Sequence, residues 1–166
     1  MSTIAWHLMF RLVDQRVIAP STAERRTLAR TVYESCAAGG LLAFRGSDTH
    51  LHAVVLCDRV MAGAIARNLA IRLRWALDLD TRFDATRFQP VQDQRHLSNA
   101  VEYVLRQDVR HGFENDRLHD ASLLPDLLGL RLLGPEVVRR FREHLPRLGR
   151  SSLLGFLGVP DLEPGT

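Results

Sequence analysis

Two short groupings hold the side chains best suited by type and spacing to do chemistry. His50 and His52 flank Leu51 in Asp48-Thr49-His50-Leu51-His52-Ala53-Val54-Val55-Leu56, and Tyr103 precedes Gln107 by four residues in Val101-Glu102-Tyr103-Val104-Leu105-Arg106-Gln107. Two imidazoles that converge can hold one divalent ion, because borderline metals accept nitrogen ligands. A phenol and an amide oxygen brought to the same place would complete the parts of a metal-assisted nuclease.

Each grouping implies an element that must position it. The run from Ala53 to Leu56 is apolar and of strand length, so His50 and His52 are expected on one strand with both rings on one face and Leu51 packed behind. From His96 to Val109 the spacing of Leu97, Ala100, Val101, Val104 and Leu105 predicts a helix with one apolar side. On such a helix Tyr103 and Gln107 are stacked neighbours, about 6 Å apart along the axis. His96, seven residues before Tyr103, lies on the same stripe as an accessory candidate for moving protons.

Every one of these residues has an ordinary alternative. Pairs of histidines on strands are more often half-buried polar residues than ligands, a short motif being easy to meet by chance. A tyrosine on an amphipathic helix commonly sits at the core rim with its hydroxyl in water. Gln107 alone is ordinary helix surface.

In combination and order, these residues resemble the single-tyrosine HUH transposases, especially the REP-associated tyrosine transposases and their IS200-like relatives. His50-Leu51-His52 matches the family's histidine-hydrophobic-histidine motif. Tyr103, Gln107 and Val109-Arg110-His111-Gly112 match its catalytic helix and the run that follows, while Arg87-Phe88 and the stretch from Val91 to Leu97 match the approach to that helix. His7-Leu8-Met9-Phe10-Arg11-Leu12-Val13 looks like its first strand. The resemblance covers roughly residues 4 to 115. The chain has Gln107-Asp108 where members commonly carry Asn-Pro, and it lacks their Trp-Gln before Arg-Phe.

The resemblance implies a DNA-nicking and joining enzyme with Tyr103 as nucleophile. His50, His52 and Gln107 would hold Mg²⁺ or Mn²⁺, and a 5′-phosphotyrosine intermediate would form with release of a 3′-hydroxyl. Its implied substrate is single-stranded DNA, often with a hairpin beside the cut, in the bacterial cytoplasm. Two rival readings keep the layout without the chemistry. One is a domesticated, noncatalytic DNA-binding protein that retains the fold; the other is an RNA-binding sandwich, which predicts aromatic residues on the sheet where histidines are expected here.

Composition sets outer bounds. With 46% hydrophobic and 25% charged residues in 166, the chain has the material for one ordinary core and an appendage. No run approaches the eighteen apolar residues of a membrane span, and His7, Arg11 and Asp14 interrupt any leader-like start, so a cytoplasmic protein away from the membrane is expected. Cys36 and Cys57 lack metal-site spacing and read as ordinary thiols. The formal charge of +3 is too mild to argue for nucleic acid. All 22 basic residues are nevertheless arginine, whose planar fork suits phosphate. Arg67, Arg74, Arg87, Arg110, Arg139 and Arg140 are the DNA-contact candidates, set against the plainer reading of solvated helix faces.

The element order βαββαβα, read from strands at 3–13, 41–44 and 50–57, helices at 21–38 and 60–77, a mixed segment at 81–93 and the tyrosine helix, predicts an α+β fold. The expected form is a ferredoxin-like or palm-like split βαβ sandwich whose central antiparallel sheet carries the histidine motif. Residues 1–115 are read as the catalytic-type domain, 116–159 as a helical C-terminal extension and 160–166 as a loose tail. In the extension, Pro135 starts a helix with Val137, Val138, Phe141 and Leu145 along one side. Packing ranks first among its roles and DNA contact second, with a homodimer contact also open.

Overall fold

A computed structural model describes residues 2–36, 39–106, 116 and 119–157. The sandwich predicted above is present. Strands β1 (Ala5–Arg11), β2 (Leu41–Ser47), β3 (His50–Val55) and β4 (Arg87–Val91) form an antiparallel sheet in the order β2-β3-β1-β4. Helices α1 (Thr22–Cys36) and α2 (Arg59–Ala76) make the two crossovers, α3 (Gln94–Leu105) follows β4, and the extension adds α4 (Leu124–Leu127), α5 (Pro135–His144) and α6 (Arg150–Phe156).

Alternation along the strands sorts side chains to two faces. Leu8, Phe10, Leu51, Ala53 and Val55 share the face covered by α1 and α2, and all are buried. Leu28 of α1 lies where a Cβ on Gly46 would meet it, and the ring of Tyr33 meets that of Phe44 edge-on, with centroids 5.2 Å apart. On the other face stand His7, Met9, Arg11, His50, His52 and Arg87, and α3 crosses only part of it.

Local chemistry explains most boundaries. Ser21 Oγ accepts from the Glu24 amide at the start of α1, Asp58 caps α2 through the Met61 amide, and Asp93 caps α3 through the His96 amide. Gly40 enters β2 with φ of +70°, where a Cβ would strike the Leu56 carbonyl oxygen at 2.3 Å, so both the backbone conformation and the space demand glycine. Asp48 and Thr49 alone connect β2 to β3, and Asp48 takes a φ of 45°, a conformation Asp tolerates better than most residues.

Several boundaries differ from the expectation. β2 runs on through Arg45, Gly46 and Ser47, which read as turn residues but pair with His52, Leu51 and His50. The first strand is shorter than 3–13, β3 stops at Val55 rather than 57, and the mixed segment resolves into β4, an edge strand that accommodates Pro90. The tyrosine helix, expected to reach Val109, ends at Leu105 with Arg106 as its C-cap.

Residues of the C-terminal third enter the same core. Gly46 donates its amide to the Ala121 carbonyl at 2.7 Å and Leu123 donates to the Phe44 carbonyl at 3.2 Å, so segment 121–123 lies along the outer edge of β2. Asp126 accepts from the Tyr33 hydroxyl at 2.6 Å and from Arg131, tying α4 to α1. Val137, Phe141 and Leu145 bury the predicted stripe of α5.

Candidate functional site

The site is built where the second face of the sheet emerges from under α3. His50 and His52 lie on β3 as the strand period requires, ring centroids 5.9 Å apart and near-parallel. Register places Arg11 opposite His50 and Met9 opposite His52, with Arg87 beyond Met9 on β4. Tyr103 of α3 stands over this row, its ring edge-on to His52 at 5.8 Å and to His7 at 6.1 Å. Residues widely separated in the chain are thereby brought together, and Tyr103 is 55% exposed at the margin of the helix.

The third imidazole is the part sequence reading did not assign. His7 Nε2 lies 3.0 Å from His52 Nδ1, and both rings are buried, at 5% and 4% exposure. The available signal was in β1: His7, Met9 and Arg11 alternate with Leu8 and Phe10, placing His7 on the polar face of a strand that turns out to neighbour β3.

Burial favours the neutral form of all three histidines. It lowers the His52 pKa to about 3, with further depression from His7 and His50. It lowers His7 to about 4, with His96 adding to the effect. His50 is lowered in the same direction, first by burial and then by Arg11. A neutral imidazole offers a lone pair, the state in which it can bind a metal. His50 Nδ1 is hydrogen-bonded to Thr49 Oγ1 at 2.9 Å and His52 Nδ1 to His7, so in both motif residues the remaining ring nitrogen is Nε2.

The chemistry of this donor pair suits a borderline divalent ion, with two neutral imidazoles side by side and each oriented through its other nitrogen. Among the described residues, no group of three or more His, Cys, Asp or Glu side chains is arranged to hold a metal. Gln107, the amide assigned as third donor, lies outside the described residues.

The remaining candidates fall in different places. His96 lies in the first turn of α3, where its Nδ1 accepts from the Gln92 amide at 3.4 Å, an arrangement that helps fix the helix start. Arg87 is exposed on the histidine face, whereas Arg67 and Arg74 are exposed on α2, across the sheet from Tyr103. Arg139 is exposed on α5; its neighbour Arg140 donates to the Leu41 carbonyl at 2.8 Å, a contact that holds α5 to β2. Arg110 lies outside the described residues. Arg59 stacks over Phe88 at 3.6 Å, and Phe83 meets Phe10 edge-on.

Sequence reading also missed a buried ionic cluster. Asp116, with a fully buried side chain, lies 3.4 Å from Arg25 and 3.6 Å from Arg45, and burial raises its pKa despite both arginines. Arginines are usually solvated, so nothing local marked Arg25 or Arg45 as interior.

No family model matches the chain, and no curated protein does. A solved structure of a REP-associated tyrosine transposase bound to a REP hairpin shares the fold, with a TM-score of 0.60 over 82% of this chain and 88% of that one. The two are 14% identical, so the likeness is one of architecture. No helix among the described residues is long and apolar enough to cross a membrane.

Proposed function

We propose that the protein is a metal-assisted DNA-nicking and joining enzyme of the transposase type, with Tyr103 as nucleophile. One observation carries the reading: an exposed tyrosine stands within 6 Å, ring centre to ring centre, of a buried neutral histidine from the strand pair His50 and His52. Support comes from the shared fold with a tyrosine transposase that was solved with a hairpin.

In this reading His50 and His52 would hold Mg²⁺ or Mn²⁺, with the Gln107 amide as third protein donor. The ion would supply charge neutralisation at the scissile phosphate and polarise it toward attack. The Tyr103 oxygen displaces the 3′-oxygen of the preceding nucleotide, leaving a 5′-phosphotyrosine and a free 3′-hydroxyl. Reversal by a 3′-hydroxyl joins strands. A phenol suits both directions, since its ordinary pKa near 10 makes it easier to ionise than an alkyl alcohol and a better leaving group. Arg87, on the same face, would meet backbone phosphates of single-stranded DNA.

The test is a labelled pool of single-stranded oligonucleotides, some with hairpins, incubated with protein and Mn²⁺ and resolved under denaturing conditions. A covalent adduct is expected with the wild type and none with Tyr103→Phe. The other tyrosine cannot substitute, because Tyr33 is buried, hydrogen-bonded to Asp126, and has its pKa raised first by burial. A second reading is a DNA-binding protein without chemistry, in which Gln107-Asp108 stands where the resembled family commonly has Asn-Pro. Binding of the pool with no adduct from the wild type would select it.

A further inference from the structure

We infer that His7 is a positioning residue that holds His52 in the tautomer protonated on Nδ1, keeping His52 Nε2 open as a ligand nitrogen. The inference deepens the proposed metal-assisted reading and rests on it. Its physical basis is the contact between His7 Nε2 and His52 Nδ1, 3.0 Å apart with both rings buried.

Two neutral imidazoles at that distance share one proton between the facing nitrogens, and there are two ways to place it. If His52 Nδ1 donates, His52 Nε2 is bare and the His7 proton sits on its own Nδ1. If His7 Nε2 donates, His52 must carry its proton on Nε2, which closes that nitrogen to any ion. Only the first arrangement leaves His52 Nε2 available beside His50, whose own Nδ1 meets Thr49 Oγ1. Metal-binding histidines are commonly oriented in this manner by a hydrogen bond at the second nitrogen.

The position of His7 adds to the argument. It is two residues away from Met9, the register partner of His52, so its side chain reaches diagonally across the sheet to the same row. Its ring also meets Tyr103 edge-on. One side chain of β1 thus touches both the strand motif and the tyrosine without being on either element.

Two variants separate hydrogen bonding from packing. His7→Phe keeps a ring and loses the acceptor; His7→Gln can return an acceptor oxygen near the place of Nε2. Long-range ¹H–¹⁵N correlation spectra of metal-free protein read the tautomer of His52 directly, and circular dichroism checks that each variant is folded. The wild type should show His52 protonated on Nδ1, His7→Phe should change that population, and His7→Gln should restore it. Calorimetric titration with Mn²⁺ alone should show binding weakened roughly 10- to 100-fold in His7→Phe and recovered to within a few-fold in His7→Gln.

A wild-type His52 protonated on Nε2 would overturn the inference. So would a His7→Phe protein with unchanged tautomer and unchanged Mn²⁺ affinity, or a His7→Gln protein that behaves like His7→Phe. The spectra need no metal, so they decide the role of His7 even where Mn²⁺ binding by the wild type fails, the result that removes the metal-assisted reading instead.

Discussion

The two faces of the sheet are made from alternate residues of the same strands, yet they obey different rules. Leu8, Phe10, Leu51 and Ala53 point to one side, where α1 and α2 seal them completely. His7, Met9, Arg11, His50 and His52 point to the other, where α3 covers one end and leaves the rest to solvent. The first face is continuous apolar surface whose burial stabilises the fold. On the second, polar atoms are withdrawn from water only where a partner meets them, as at the His7–His52 contact. The lesson is that a strand can serve as core and as site at once, with a spacing of one residue separating the two duties.

The sharpest way to break this comparison is to change one residue on each face. Tyr103→Phe, over the open face, is expected to eliminate the covalent DNA adduct while leaving the thermal midpoint nearly unchanged, as denaturing gels and calorimetry would show. Conversely, Leu51→Ala on the sealed face should lower stability by about 2–5 kcal/mol through lost burial and the cavity left behind. Its neighbour His50→Ala should cost less than about 1 kcal/mol yet lose metal-dependent cleavage. Urea titrations of the two variants beside the cleavage assay would collapse the distinction if both lost stability alike.

This division was largely legible in the sequence, and the failures have physical reasons. The period of two in His50-Leu51-His52 is a local signal, and β3 followed it. His7 was not assigned because its partner lies 45 residues away, and no local pattern states which strands become neighbours. Arg45 and Gly46 resemble a turn in isolation; they belong to a strand because β3 pairs on one side and segment 121–123 on the other. The C-terminus of α3 was misjudged because the apolar spacing continues past Leu105, and spacing alone does not say where a helix is capped.

A comparable effect concerns what holds the extension against α1. Asp126→Ala would take the carboxylate partner from Arg131 and the acceptor from the Tyr33 hydroxyl, and removal of one partner from a buried pair costs about 3–5 kcal/mol. Denaturant unfolding of this variant should show that loss. Its counterpart on the open face is Arg87→Ala, expected to weaken single-stranded DNA binding and reduce the salt slope by about 1, with Arg67→Ala on α2 leaving the slope unchanged. Equal effects from both arginines would mean that DNA does not distinguish the faces.

The smallest expected effect is the response to acid. Burial, reinforced by Arg45, lowers the His119 pKa from 6.5 to about 3, so the unfolded chain binds a proton there at pH values where the folded chain does not. Its stability contribution is complete above about pH 6.5 and is lost as pH falls toward about 3. Melting temperatures of the wild type and His119→Gln should therefore converge or cross on acidification, the variant losing less between neutral pH and pH 5.

Segment 121–123 has a consequence for assembly. An open strand edge is a template on which another chain can add itself, and here the template beside Phe44 and Gly46 is taken by the molecule's own later residues. A chain cut before Ala121 would regain that vacancy and should self-associate strand to strand, beginning at the very strand whose Arg45 lies opposite His52. The extension thus works as a built-in competitor, and molecular size becomes a function of whether that short stretch stays docked.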